Sequence, residues 1–344
     1  MKKIYLCIIL ILTLLIFNSN VVLGHVPLDT EDNTSLDTAM HIHDPHKSWA
    51  IYDDLHSNHE AKYYELHLGN GDRLYASILT PEDGAFTPGL IIMGPGLGTN
   101  ESYPDHIEVP DGVDILVIEG EKEEEAEYEP FTPASNFALA SFDDNVNVTG
   151  TYYIVVFDEF TGGKFTLAVG YQESFTVFEW LKVPVDLIGI YLWTGHSPLL
   201  IIAPFLFWVI AGFFILYWRY RVYSLNSWLA STGGLLYLGT ATLISIEMAI
   251  ALGQAPMTAL VVVTLIFISI PAILGIMTLL KIIKKKDEFE RKDRLILAIY
   301  GLLGLIFWGG VIVGPIIILI ACISPVYFIF KKESEKKDET EGEN

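Results

Sequence analysis

Cysteine is almost missing from this chain of 344 residues: Cys7 lies in an N-terminal apolar run and Cys322 in the last one. Whatever folds between them does so without disulfides, so its stability has to come from a packed core, for which about 150 residues suffice. Basic residues are scarce in the first half. From His25 to Gly195 there are 31 Asp or Glu against 6 Lys or Arg, a net of −25. Such a surface repels nucleic acid and anionic partners and suits cations, basic partners or a salty medium. Histidine disappears after His196, with all nine falling between His25 and that residue. A catalytic framework is absent too. Gly94-Pro95-Gly96-Leu97-Gly98 lacks the Lys-Ser/Thr of a phosphate loop and reads as a turn, and His56 to Glu60 has the wrong order for a zinc protease helix. With no serine elbow and no paired carboxylates in a defined frame, the chain reads as non-enzymatic.

Long apolar runs are what the chain has in abundance. They cover roughly 197–217, 228–252, 257–280 and 295–330, near or above the ~20 residues that cross a bilayer. As one helix the last run would extend about 54 Å, well beyond a ~30 Å hydrocarbon core. Gly309, Gly310, Gly314 and Pro315 interrupt it, so it is expected to form two helices, about 292–309 and 312–330, giving five spans in all. Arg219, Arg221, the stretch Lys281 to Arg294, and Lys331, Lys332, Lys336 and Lys337 all flank the same ends of these runs, while the other connections are uncharged. Excess Lys and Arg in short loops marks the cytoplasmic side.

Met1-Lys2-Lys3, the apolar Ile4 to Phe17, and Val22-Leu23-Gly24 read as a secretory signal peptide over 1–24, and no lipobox surrounds Cys7. The expected layout is therefore an exported domain followed by an anchor in a prokaryotic, archaeal-type cytoplasmic membrane, with residues 331–344 as a cytoplasmic tail. Three sequons, Asn33, Asn100 and Asn147, fall in the exported half as possible glycosylation sites. Residues 178–193 carry Glu179, Lys182 and Asp186 on one side and Trp180, Leu187, Ile188 and Tyr191 on the other, an interfacial amphipathic helix.

Between Ala61 and Gly170 the pattern changes to short alternating segments bounded by Gly, Pro, Asn and Asp. Ala61–Leu68, Asp72–Thr80, Gly89–Met93, Val113–Ile118, Phe137–Phe142, Thr151–Phe157 and Lys164–Val169 are expected strands, with Gly69-Asn70-Gly71 and Gly162-Gly163 as hairpin signals. The fold class expected is α+β in separate domains: an antiparallel β-sandwich over 61–173, preceded by an extended segment 25–60 and followed by a helical transmembrane bundle. The order Gly71-Asp72-Arg73-Leu74-Tyr75, then Gly150 to Val156, then Gly163 to Val169 resembles the bacterial pre-peptidase C-terminal domain, a jelly-roll-like sandwich appended to secreted enzymes. That resemblance covers about 110 residues and implies a binding or assisting role, with calcium in some members. The whole layout is similar to archaeal membrane proteins of unassigned function.

Candidate sites follow from residue type. His41 and His43 share a face of an extended strand and, with His46, suit Zn²⁺ or Cu²⁺. Cleavage after Gly24 would make His25 a mature N-terminus able to chelate copper, an arrangement resembling the histidine brace. Asp143 and Asp144 offer oxygen ligands for Ca²⁺. The stretch Glu121 to Glu129 reads as a solvated loop, or alternatively as a site for a cation or basic peptide. Glu247 is the one ionisable side chain well inside a span, where a carboxylate is costly and can mark an ion path. Gly233, Gly234, Gly239 and Ala241 on the same run allow close helix packing. The function expected is extracellular binding by an acidic sandwich in the cell envelope, with membrane lipids and other envelope proteins as partners. An accessory subunit of a transport or enzyme complex is the second reading, and an exported copper or zinc protein the third.

Overall fold

A computed structural model describes residues 24–324 except 82–83, 122 and 286–288, so nearly all of the expected signal peptide and the whole charged tail lie outside the described residues. The strands run in order β1 (Val26–Leu28), β2 (Met40–His41), β3 (Trp49–Leu55), β4 (Ala61–Leu68), β5 (Arg73–Thr80) and β6 (Gly89–Gly94). They continue with β7 (Asp114–Ile118), β8 (Glu127–Glu129), β9 (Ala134–Asn145), β10 (Gly150–Phe157) and β11 (Gly163–Val169). One sheet has the order β1-β3-β11-β5-β9-β8, and the other β2-β4-β10-β6-β7. All seven segments expected as strands are strands.

Three features differ from the sequence expectation. The segment 25–60 is not a separate extension, because β1, β2 and β3 pair into the two sheets. Its alternation was hidden by Asp53, which is buried at 6% exposure and held by Lys62 (3.5 Å), the Tyr64 hydroxyl (2.9 Å) and the Asn33 amide (3.2 Å). Secondly, the sheets are mixed rather than wholly antiparallel: β1 runs parallel to β3 and β2 parallel to β4. Thirdly, the glycine signals mark crossings between sheets and not hairpins. Strands β4 and β10 belong to the five-stranded sheet, while β5 and β11, which follow them, belong to the six-stranded one. Gly71 turns the first corner at φ +90°, a conformation that favours glycine.

Between the sheets, Ile51, Leu74, Ile78, Phe165 and Leu167 face Leu66, Leu90, Ile92, Ile154 and Val156. Each such side chain contributes about 1.5–3 kcal/mol on burial. The far face of the five-stranded sheet is covered by Ile107, packed with Tyr63, Ile91 and Phe157.

The helices are α1 (Val177–Trp193), α2 (Pro198–Ile215), α3 (Leu225–Ala251), α4 (Val261–Lys285), α5 (Arg291–Ile306) and α6 (Val313–Ile323). Thr176 starts α1 with a capping box: its hydroxyl accepts from Glu179 N (3.2 Å), and its own N–H donates to the Glu179 carboxylate (2.7 Å). A π-helical turn, Leu216–Tyr220, extends α2. Among the described residues three helices are long and apolar enough to cross a membrane: Pro198–Tyr220, Leu225–Ala251 and Val261–Lys285. The long last run does split, with α5 ending at Ile306 and α6 starting at Val313. Central in the bundle, α3 packs against α2, α4 and α6. A Cβ on Gly233 would lie 2.6 Å from Gly314 O, and one on Gly275 would lie 2.6 Å from Gly234 O, so these helices touch through glycine as the small residues of α3 implied.

The sandwich is docked on one end of this bundle. The Tyr128 hydroxyl bonds Thr264 Oγ1 (2.7 Å), and Thr264 donates to Pro130 O (2.6 Å). Ser135 donates to Gln254 Oε1 (2.6 Å), and Lys47 pairs with Glu179 (2.6 Å). Trp180 donates to Ile306 O and Trp308 returns a bond to Trp180 O, each at 3.0 Å. These contacts use the C-terminal end of α3, the N-terminal end of α4 and the α5–α6 turn. Arg219, Arg221 and the stretch from Lys281 lie at the opposite helix ends.

Candidate functional site

The six-stranded sheet is asymmetric. Its inner face carries the large core residues, whereas the outward positions include the small Ala50, Ser77, Ala138, Ser141, Thr166 and Ala168, interspersed with Tyr52, Tyr75, Leu79, Asn136 and Asp143. A bulge where β5 meets β9, at Ile78/Leu79, explains how Ala138 and Ser141 come to share a face despite their odd spacing: the extra residue shifts the alternation by one. Small side chains leave space, and the space is roofed. The segment from β8 to Thr132, helix α1, Leu260 and Trp308 close over the sheet around a chamber of about 440 Å³. That volume falls within the range of small-molecule sites.

Aromatic rings form much of the roof. Tyr52 and Trp193 meet edge to face at 5.3 Å, and Trp180 lies 4.8 Å from Trp308, which in turn lies 4.6 Å from Phe267 of α4. The Nε1 of Trp193 is buried and has no hydrogen-bond partner. Tyr52, Trp193, Pro27 and Ile190 also line a second groove, which carries Asp29 and Asp186. Both of those carboxylates pair with Lys182, at 3.3 and 2.8 Å.

Glu129 is the electrostatic centre of the chamber. Protein surrounds its carboxyl, and the surface it retains faces the cavity. Its Oε1 accepts from Phe131 N at 3.1 Å. Burial pushes its pKa up to about 7, against the pull of the Phe131 and Thr132 backbone N–H groups and with Glu173 adding to the rise. Burial likewise raises Tyr52, helped by Glu129 and Asp186. His25 also lines the chamber, its Nδ1 2.5 Å from Ser48 Oγ, and enclosure by protein lowers its pKa. No Lys or Arg lines the chamber among the described residues.

The residues singled out from sequence fall in several places. His41 and His43 do share a face, with rings 4.7 Å apart, His41 on the edge strand β2 of the five-stranded sheet and His43 just beyond its end. His46 lies elsewhere, 3.6 Å from Asp72, and His25 belongs to the other sheet, so the four imidazoles are not brought together. Among the described residues no group of three His, Cys, Asp or Glu is placed to hold a metal ion. Asp143 and Asp144 are successive strand residues pointing to opposite sides, and Asp143 is clamped by Arg73 at 2.6 and 2.7 Å, so they do not form a Ca²⁺ pair. Asn100 and Asn147 are exposed, while Asn33 is fully buried with its amide given to Asp53, which leaves no room for a glycan on the folded domain.

Glu247 is wholly buried, and it has the partner that the other spans lack: His196 Nδ1 lies 2.9 Å from its Oε2, a close ionic contact without hydrogen-bond alignment. The Tyr191 ring stacks on His196, and its hydroxyl has no partner. Sequence reasoning missed this pair although the signal was present. His196 immediately precedes one span and Glu247 ends the next, which puts both at the same depth.

Glu129, Tyr52 and Trp193 were also missed. Glu129 was hidden in an acidic stretch read as solvated, and only the buried Ala126 and Tyr128 beside it mark the stretch as structured. No protein-family model matches this chain, and no curated protein matches it in sequence.

Proposed function

We propose that this chain is a non-enzymatic, multi-pass membrane protein of the prokaryotic cell envelope. Its acidic sandwich stands outside and, together with the outer ends of its own helices, binds a small polar ligand. The observation that carries this reading is the chamber itself: a sheet face carrying small residues, roofed by aromatic side chains from helices of the same chain. A display domain on a tether would have no reason to share a cavity with its anchor. Five spans, with α5 and α6 as the short fourth and fifth, put the uncharged docking end outside and the basic connections in the cytoplasm. A thermal-shift screen of small polar solutes on the full chain in detergent tests the binding role. At least one solute stabilises the wild type and leaves Ala168→Phe unmoved, because the added ring occupies the chamber floor. Equal stabilisation of both proteins, or of neither, contradicts the reading.

A further inference from the structure

We propose that the chamber takes a compact organic cation, a substituted ammonium; this rests on the ligand-binding role just argued. Two independent features of the chamber point to that class. The first is charge. Glu127 and Glu129 line the chamber with no Lys or Arg beside them, while the third carboxylate, Asp143, is neutralised by Arg73. An anionic ligand would meet an enclosed carboxylate with nothing to offset it, whereas a cation completes the Glu129 pairing in a site shielded from water.

The second feature is the wall. Tyr52, Tyr75, Trp180 and Trp193 line a space about the size of a small ligand. Aromatic faces attract ammonium groups by their quadrupole, most strongly where water is excluded. Asp29 and Asp186 in the adjoining groove, shared by one Lys182, leave the neighbouring surface acidic as well.

The test is calorimetric titration of the full chain in detergent at pH 8 with three probes: choline, its uncharged carbon isostere 3,3-dimethyl-1-butanol, and glucose. Choline is expected to bind at least about tenfold more tightly than the isostere, the range that a desolvated cation–aromatic contact supplies. Glu129→Gln should remove most of that preference while leaving isostere binding unchanged. The comparison of choline with its isostere is made on the wild type and does not depend on how the variant folds. Equal affinity for choline and isostere, or binding of glucose alone, overturns the cation assignment and leaves the chamber as a ligand site. Absence of binding by all three probes overturns both.

Discussion

The two faces of the six-stranded sheet are built from the same strands and have opposite characters. Ile51, Leu74, Ile78 and Leu167 fill the interior at no more than 1% exposure, whereas Tyr75, Ser77 and Leu79, one residue away, are half-buried and border the chamber. Because strand side chains alternate, one strand can supply a packed face and an unpacked one without any change of backbone. An unpacked face collapses or fills with solvent unless something else holds it open. Here the aromatic roof does so, and the roof is anchored to helices through Trp180, Trp308, Tyr128 and Thr264. The difference teaches that the sandwich is stable by its interior and specific by its exterior, and that the helices take part in the second role.

The contrast can be broken most severely at the one charged position of the inner face. Asp53→Ala leaves the buried Asn33 amide and Tyr64 hydroxyl unsatisfied, at about 1–3 kcal/mol each, and leaves Lys62 with Glu60 alone, so a loss of about 2–6 kcal/mol is expected. Urea unfolding of the full chain followed by far-ultraviolet circular dichroism measures it. Leu167→Ala should cost about 2–5 kcal/mol by opening a cavity in the core. Its neighbour Ala168→Phe should cost far less, because the ring enters space that already exists. Comparable losses from these two would show that the faces do not differ.

A smaller effect concerns pH. Glu129 is raised from an ordinary value of 4.5 to about 7, so the folded chain holds a proton that the unfolded chain has released between those values. Its contribution to stability therefore falls as pH rises from about 4.5 to about 7, and Glu129→Gln abolishes that slope. Tyr52 is raised away from this window, but His25, lowered by enclosure, and Glu173, raised by burial, titrate within it, so Glu129 is read from the difference between the wild-type and Glu129→Gln curves. Melting temperatures of the two proteins across pH 4.5 to 7 compare the slopes, and parallel curves would refute the assignment. The smallest change is expected at the exposed rim, where Arg73→Ala breaks the pair with Asp143 and should cost no more than ~1 kcal/mol.

Much of the fold was legible because it depends on local pattern. Alternation located seven of the eight strands from Ala61 to Val169, missing only β8 in the acidic stretch; hydropathy located the helices, and Gly309 to Pro315 located the break in the last run. What escaped were features fixed by long-range pairing. The alternation of β3 is masked by Asp53, whose buried position makes sense only with Lys62, Tyr64 and Asn33 around it. The glycine corners at Gly71 and Gly162 read as hairpins, since local sequence carries the turn but not which sheet the next strand joins. Of the site, His25 was singled out, but for copper and not for a chamber wall. Glu129 could not be separated from its acidic neighbours without the roof that encloses it, and the Glu247–His196 contact needed two helix ends read at a common depth.

The central claim is that sandwich and helices enclose a chamber open to small cations. Ser77→Cys, in a Cys7→Ser, Cys322→Ser background, places the one thiol of the chain on the chamber floor. At pH 8 it should react with a trimethylammonium methanethiosulfonate at least about tenfold faster than with the sulfonate reagent of similar size, and choline should slow the first reaction. Equal rates with the two reagents, or a faster reaction with the anion, would contradict the account.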